Sequence, residues 1–334
     1  MSSNPPWLAR AVSWCGSAVD AAAGNRLSIL IFHRVLPRPD PLFPDEIDAA
    51  QFDRLMALVA GGYNVLSLGR ALPLLATSQL PPRALVITFD DGYADNAEIA
   101  LPILRRHGLV ATFFVASGFL DGGRMWNDTV IECLRRTDRD SVDLGDFGLA
   151  RFATTTTGER RAAIAALLPR LKYLALTGRE DALVRLRTLT AAAALPDDLM
   201  MTSQHLQAMH VAGMEIGGHT TNHPILTELS DADARAEIDG GRRRLQELLD
   251  APIDVFAYPN GRPGRDYDAR HVAMVRELGF RGAVSTAAGA ALPGADLFQL
   301  PRFTPWDLQL PRWAARLLWT RLRAGRFDVA GATT

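Results

Sequence analysis

Two short stretches carry side chains able to do chemistry together: Thr88-Phe89-Asp90-Asp91-Gly92 and His219-Thr220-Thr221-Asn222-His223. The first offers adjacent carboxylates, the second two imidazoles four residues apart. One carboxylate oxygen and two neutral imidazole nitrogens suit a zinc, cobalt, nickel or iron ion, and three protein ligands leave coordination positions open. A spacing of four lets one turn of helix, or a tight loop, aim both imidazoles at one point. The two aspartates cannot share one task. One ligates the cation and stays ionised. Its neighbour, leaving the backbone in the other direction, is free to take a proton from a water that the cation acidifies. Delivery of a proton to a leaving nitrogen then needs an acid on the far side of the scissile bond. Singly, each stretch has a plainer reading, as capping histidines or a strand-terminating turn. Together, each just past a strand end, they describe a metal-dependent hydrolase.

The strands that must position them are legible. Ala84-Leu85-Val86-Ile87, between Pro81-Pro82 and Gly92, reads as a buried parallel strand. Met214-Glu215-Ile216-Gly217-Gly218 reads as another. In α/β folds sites gather at the carboxyl ends of strands, so both stretches point to one mouth. Further strand-like runs are Leu27–His33, Tyr63–Ser67, Val110–Ala116, Asp254–Tyr258, Arg281–Ser285 and Leu297–Phe303. Helix-like runs alternate with them: Ala49–Ala60, Leu68–Ala76, Asn96–His107, Asp231–Leu249 and Asp268–Leu278. From Ser117 to Thr202 the strand rhythm stops, and helical runs stand among polar joints. The expectation is an α/β fold, an irregular (β/α) barrel of about seven parallel strands with a helical insertion. Its parts would be a helical segment (1–26), the barrel (27–305, insertion about 119–201) and a basic amphipathic tail (306–334).

Charge is nearly balanced, 36 basic against 37 acidic residues, which gives a nucleic-acid partner no electrostatic support. Cys15 and Cys133 make no disulfide framework and stand in no metal-ligand spacing. The start lacks a basic n-region, and no run approaches the roughly 18 uncharged apolar residues of a membrane span. A cytoplasmic setting is expected. Two segments qualify it: Pro311–Phe327, which mixes Trp313 and Trp319 with five arginines, and a weaker version around Trp7 and Trp14. Such helices either lie at a membrane interface, here the inner face, or cover the barrel with arginine toward water.

Thr88–Gly92, Glu215–Pro224 and Phe256-Ala257-Tyr258-Pro259-Asn260-Gly261 resemble the first three motifs of the polysaccharide deacetylases, carbohydrate esterase family 4. The likeness spans roughly Leu27 to Arg302, insertion excluded. The resemblance implies a distorted barrel, a divalent metal such as zinc, and removal of acetyl groups from N-acetylated sugars. It makes Asp90 the base and Asp91, His219 and His223 the metal ligands. The family's late leucine-x-histidine motif, source of the acid, does not occur after Gly261. Ile29-Leu30-Ile31-Phe32-His33-Arg34 instead resembles the first strand of a permuted branch, which includes the poly-N-acetylglucosamine deacetylases, and His33 is the candidate acid.

The third motif departs from the family. Ala257 stands where an arginine commonly pairs with the base, and Asn260 where a tyrosine is common. The backbone N–H of Asn260 is the implied oxyanion donor, a role that survives the side-chain change; Tyr258 is grouped with it. Arg302, in Leu300-Pro301-Arg302-Phe303, is the candidate substitute for the missing charge. Trp126, at the start of the insertion, offers a face for stacking on a sugar ring, and Asn127 or Asp128 reads as the cap of the helix that follows. The expected activity is hydrolysis of an amino sugar's N-acetyl amide during envelope or exopolysaccharide synthesis. Its rivals are a metal amidase on a non-sugar amide, and an inactive barrel within a polysaccharide assembly complex.

Overall fold

The computed structural model describes residues 6–322 apart from 193, 306 and 308. They form two compact units. The first begins with helix α1 (Pro6–Ala23), then β1 (Ser28–Phe32), α2 (Ala49–Gly62), β2 (Asn64–Leu66), α3 (Leu68–Ala76), β3 (Ala84–Phe89), α4 (Leu101–Arg106) and β4 (Thr112–Val115). The second unit, Asp121–Met200 with Pro39–Pro44, holds α5 (Trp126–Arg136), β5 (Ser141–Asp143), β6 (Arg151–Ala153), α6 (Thr157–Lys172) and α7 (Leu176–Thr190). The first unit resumes with α8 (Ser203–Val211), β7 (Glu215–Gly218), α9 (Asp231–Leu249), β8 (Val255–Ala257), α10 (Ala269–Glu277), β9 (Gly282–Ala288), β10 (Leu300–Arg302) and α11 (Leu310–Leu322).

Strands of the first unit are parallel in the order β1-β3-β4-β7-β8-β9-β10, and β2 runs beside the amino half of β3. Phe303 N–H donates to Ile29 O at 2.7 Å and Ile31 N–H to Phe303 O at 3.1 Å, which brings the last strand back to the first. The result is a nearly closed barrel of seven strands, the architecture expected from the βα rhythm.

Both faces of these strands are buried, as a parallel sheet covered by helices requires. Alternate residues divide between two apolar clusters. Leu85, Ile87 and Phe89 join Phe32, Phe113 and the helices outside. Ala84 and Val86 join Ile29, Phe114, Ala257, Val284 and Leu300 inside, closed by α3. That parity continues through Thr88 to Asp90, so Asp90 is aimed into the barrel by the strand itself.

Two departures from the expected elements have physical causes. Asn96–His107 is not one α-helix: Asn96–Ala100 is a π-helical turn in which Leu101 N–H reaches Asn96 O. Pro102, without an N–H, cannot continue the ordinary ladder there. The second unit contains an antiparallel pair, β5 with β6, where only helix was expected. Strands of three residues with charged ends give too little alternation to register as a pattern.

The inner faces of the terminal helices cover the barrel. Trp313 and Leu317 of α11 are buried, and so is Arg321, which pairs with Asp20 of α1. Arg321 also donates to Ser28 Oγ (2.9 Å) and to Ala84 O (3.3 Å), the first residues of β1 and β3. Residues 323–334 of the basic tail, with Arg323 and Arg326, lie outside the described residues. No described helix is long and apolar enough to cross a membrane.

Candidate active site

Asp90 follows β3, its N–H donating to Phe32 O at 2.9 Å, and its buried carboxylate faces Arg302 on β10. The guanidinium grips it with two bonds, Nη1 to Oδ1 and Nη2 to Oδ2, both 2.7 Å. Arg302 is itself fixed, since Nε donates to Ser285 O (2.8 Å) and Nη1 to Thr88 Oγ1 (3.2 Å). Burial works against the ionised form of Asp90. The Arg302 charge and hydrogen bonds outweigh it and hold the carboxyl below the usual aspartate range. The charge missing at Ala257 is therefore supplied from another strand.

Asp91 turns the other way. Its φ of +78° lies in the left-handed region, and with Gly92 at +93° it reverses the chain directly after Asp90. This turn is what lets neighbouring carboxylates serve different partners. Asp91 Oδ1 stands 3.4 Å from His219 Nε2 and 3.3 Å from His223 Nε2.

The histidine loop is built closely. Gly217 leaves room for Phe114, whose ring a Cβ there would meet at 2.5 Å. Gly241 of α9 lets that helix approach the Thr220 carbonyl, where a Cβ would again meet backbone at 2.5 Å. Thr220 and His223 both have positive φ, +64° and +53°. Glu237 of α9 holds this strained loop, accepting from Thr221 N–H (3.1 Å), Asn222 N–H (2.8 Å) and Asn222 Nδ2 (2.7 Å).

The donor set fits a divalent cation. One ligand atom from each of Asp91, His219 and His223 lies within 4.8 Å of the others. His219 Nδ1–H donates to Ala257 O at 2.7 Å, which fixes the tautomer and leaves the Nε2 lone pair facing Asp91. His223 is pushed down to about 3 by burial, so its imidazole is neutral, the form that ligates metal. His219 is raised: burial opposes its charge, and the Asp91 carboxylate outweighs burial. Asp91 is held well below its ordinary value by the two histidines against the cost of burial. An oxygen and two nitrogens in a buried cluster match zinc and its neighbours in the first transition row.

Register places His33 directly after β1 as Asp90 directly follows β3. Its side chain is exposed at the mouth, and its charge is felt by Asp90 and Asp91. Asn96 Nδ2 donates to His33 O (2.9 Å), and Asp95 accepts from Arg34 Nε (2.8 Å) and Val35 N–H (3.2 Å). Sequence reading passed over Asp95, Asn96 and Glu237. Asp95 and Asn96 lie four and five residues after Asp91, where the π-helical turn begins.

Asn260 has φ +59°, and its carbonyl accepts from Thr286 Oγ1 at 2.8 Å. Its own N–H makes no hydrogen bond among the described residues. Tyr258 is a correction. Its ring is buried and stacks on Tyr267 at 3.8 Å, and its hydroxyl donates to Phe298 O (3.0 Å), so the phenol serves the core. Its position one residue after inward-facing Ala257 sends it outward. Trp126 belongs to the second unit and is half-buried, with Arg179 over its ring at 5.1 Å. The cap of α5 is at Met125, whose N–H donates to Asp128 Oδ2 at 3.1 Å, two or three residues earlier than expected.

The family model for polysaccharide deacetylases matches residues 77–146 and 184–283, which include Asp90, Asp91 and both histidines. YxkH of Bacillus subtilis (strain 168), grouped with the polysaccharide deacetylases, is 33% identical over 279 residues, 83% of this chain and 70% of that protein. The Streptococcus pyogenes deacetylase PplD, solved in complex with acetate, superposes with a TM-score of 0.58 at 20% identity, over 89% of this chain and 98% of PplD. IcaB from Ammonifex degensii gives 0.58 at 20% identity, over 88% of this chain and 98% of its own. The chain belongs to the polysaccharide deacetylase family and is a hydrolase of carbon–nitrogen bonds other than peptide bonds.

Proposed function

We propose that this enzyme hydrolyses the N-acetyl amide of an amino sugar, in a polysaccharide or its precursor, using one divalent cation held by Asp91, His219 and His223. The observation that carries the reading is the division of labour within one dipeptide: Asp91 faces two imidazoles, and Asp90 faces one arginine. Zinc is the ion the donor set favours, with cobalt, nickel or iron able to replace it. When bound, the cation would supply Lewis acidity at the amide carbonyl and acidify a water.

The protein's own groups do the rest. Asp90, kept ionised and oriented by Arg302, takes the proton of the attacking water. The Asn260 N–H, which has no other acceptor among the described residues, donates to the developing oxyanion. His33, at the open rim, hands a proton to the leaving amine. Acetate bound to PplD supports acetyl as the group removed. The physiological setting we assign is exopolysaccharide or envelope carbohydrate synthesis, with the enzyme in the cytoplasm, or at the inner face of the membrane through its C-terminal segment. The assembled set of Asp90, Asp91, His219, His223 and Arg302 argues against an inert scaffold.

The test is acetate release from N-acetylglucosamine oligomers by zinc-loaded enzyme, beside a chelated sample and Asp90→Asn, with bound metal measured in each. Acetate lost in both controls, with metal retained in Asp90→Asn, supports the reading. Full metal occupancy without acetate from any acetylated sugar would refute the substrate assignment.

A further inference from the structure

Helices α1 and α11 pack side by side, and each shows solvent one stripe that carries both tryptophan and arginine. On α1 the stripe is Trp7, Arg10, Ala11 and Trp14; on α11 it is Arg312, Ala315, Trp319 and Leu322. Residues three, four and seven apart share a helix face, so each stripe is continuous. Trp7, Trp14 and Trp319 are 62%, 75% and 54% exposed, while Trp313 on the opposite side of α11 is fully buried. Ala11 and Ala315 also line one apolar cavity of about 200 Å³, floored by Leu8, Val12, Tyr63 and Leu318, which joins the stripes into one surface.

Single exposed apolar residues need no explanation, but three tryptophans on one surface do. The charge is equally selective. Neither helix carries an acidic residue except Asp20, and Asp20 is buried against Arg321. Arg10 and Arg312 are exposed within the stripes. A second copy of the chain, related by a two-fold axis, would set arginine against arginine with no exposed acid of either described helix to compensate. An anionic surface meets both components of the pattern: indole rings settle at headgroup depth, and guanidinium groups bind phosphate.

We propose that the joint α1–α11 face docks the enzyme on an anionic phospholipid bilayer, with Trp7, Trp14 and Trp319 inserted among the headgroups and Arg10 and Arg312 on lipid phosphates. The face is built by both terminal helices, not by the C-terminal segment alone. It depends on none of the roles assigned at the metal centre. Arg321 anchors α11 at the amino ends of β1 and β3, whereas Asp90 follows the carboxyl end of β3, so docking and turnover of a soluble oligosaccharide are separate readouts.

The experiment is flotation of the full chain with vesicles of phosphatidylcholine, alone or doped with phosphatidylglycerol, at low and high salt. Expected is binding to the doped vesicles, weakened by salt. Replacing all three exposed tryptophans by serine should lower partitioning about tenfold or more. Arg10→Gln and Arg312→Gln should each cost about fivefold. The serine and glutamine positions are exposed, and unchanged melting together with unchanged release of acetate from soluble oligomers would show the fold intact. Val211→Ser, an exposed apolar position on α8, should leave partitioning alone. No binding of the parent chain to the doped vesicles, or equal binding by the triple variant, overturns the proposal. So does a dimer in solution that the triple variant converts to monomer without any vesicle binding, since the face would then be occupied by a second copy.

Discussion

Replacing Arg302 by methionine removes one half of a buried ion pair and leaves the other half in place. Both partners are almost fully excluded from water, with side-chain exposures of 0% for Arg302 and 4% for Asp90. Taking one charge from such a pair costs about 3–5 kcal/mol, because the remaining ion has lost its compensation without regaining solvent. Methionine fills much of the arginine stem's volume, so the loss reports charge more than cavity. The double variant Asp90→Asn/Arg302→Met has no buried charge to strand and should be more stable than Arg302→Met alone, a reversal that independent contributions cannot give.

The pH dependence follows from the same pair. In the parent, the folded carboxyl sits below its ordinary value, so its contribution is full above the unfolded pKa and is lost as pH falls through the folded one. Without Arg302 the largest charge opposing burial is gone, the protein's own remaining contributions from His219 and His33 are weaker, and the folded pKa moves up. The carboxyl then costs stability at neutral pH, and the cost is relieved as pH falls. The acid limb of turnover should shift to higher pH, and turnover at neutrality should drop about a hundredfold, within the range of a positioned general base. Urea unfolding across pH, acetate release and metal content are the assays. An Arg302→Met enzyme that unfolds within about 0.5 kcal/mol of the parent and keeps its acid limb would refute the reasoning.

Other expected outcomes are more local. Glu237→Ala should loosen the Thr220–His223 loop and weaken zinc affinity about 10- to 100-fold, read by competition with a chromophoric chelator; unchanged affinity would mean the loop holds itself. Asn96→Ala releases the His33 carbonyl and should lower kcat about tenfold while metal content and KM stay put; a kcat equal to the parent's removes the clamp from the mechanism. Asn260→Gly keeps the backbone N–H and suits its positive φ, so turnover should remain within about threefold, whereas a collapse would show that the amide side chain is needed.

What the sequence made visible, and what it hid, divides along physical lines. Strands such as Ala84–Phe89 are apolar on both faces, and a six-residue buried run between prolines and glycine has few other readings. The clustering of Asp91, His219 and His223 was legible for a similar reason: few other uses exist for this pair of stretches, each at a strand end. Tyr258 was misplaced because a loop motif carries no information about which way a ring turns. The strand parity that sends Ala257 inward does carry it. The contact of Trp126 with Arg179 was hidden because the two stand 53 positions apart in sequence. Glu237 and Asn96 act through backbone atoms of other segments, and side-chain type alone does not advertise that role.

The exchange of Ala257 for Arg302 follows from barrel geometry. Every inward-facing residue near the carboxyl end of a strand approaches the same axis, so a charge needed beside Asp90 can be presented from more than one strand. From β10, Arg302 faces the carboxylate with both guanidinium nitrogens, while its Nε is committed to Ser285 O. The Ala257 carbonyl accepts the Nδ1–H of His219, so the position serves the proposed metal ligand while the arginine serves the proposed base. Conserving charge at a point in space, and not at a position in the chain, is what the chemistry requires. Moving the arginine back, with Ala257→Arg in an Arg302→Met background, should therefore restore part of the lost stability and turnover if space beside Asp90 is the governing variable. A variant that gains neither would show instead that β10 supplies an orientation that β8 cannot.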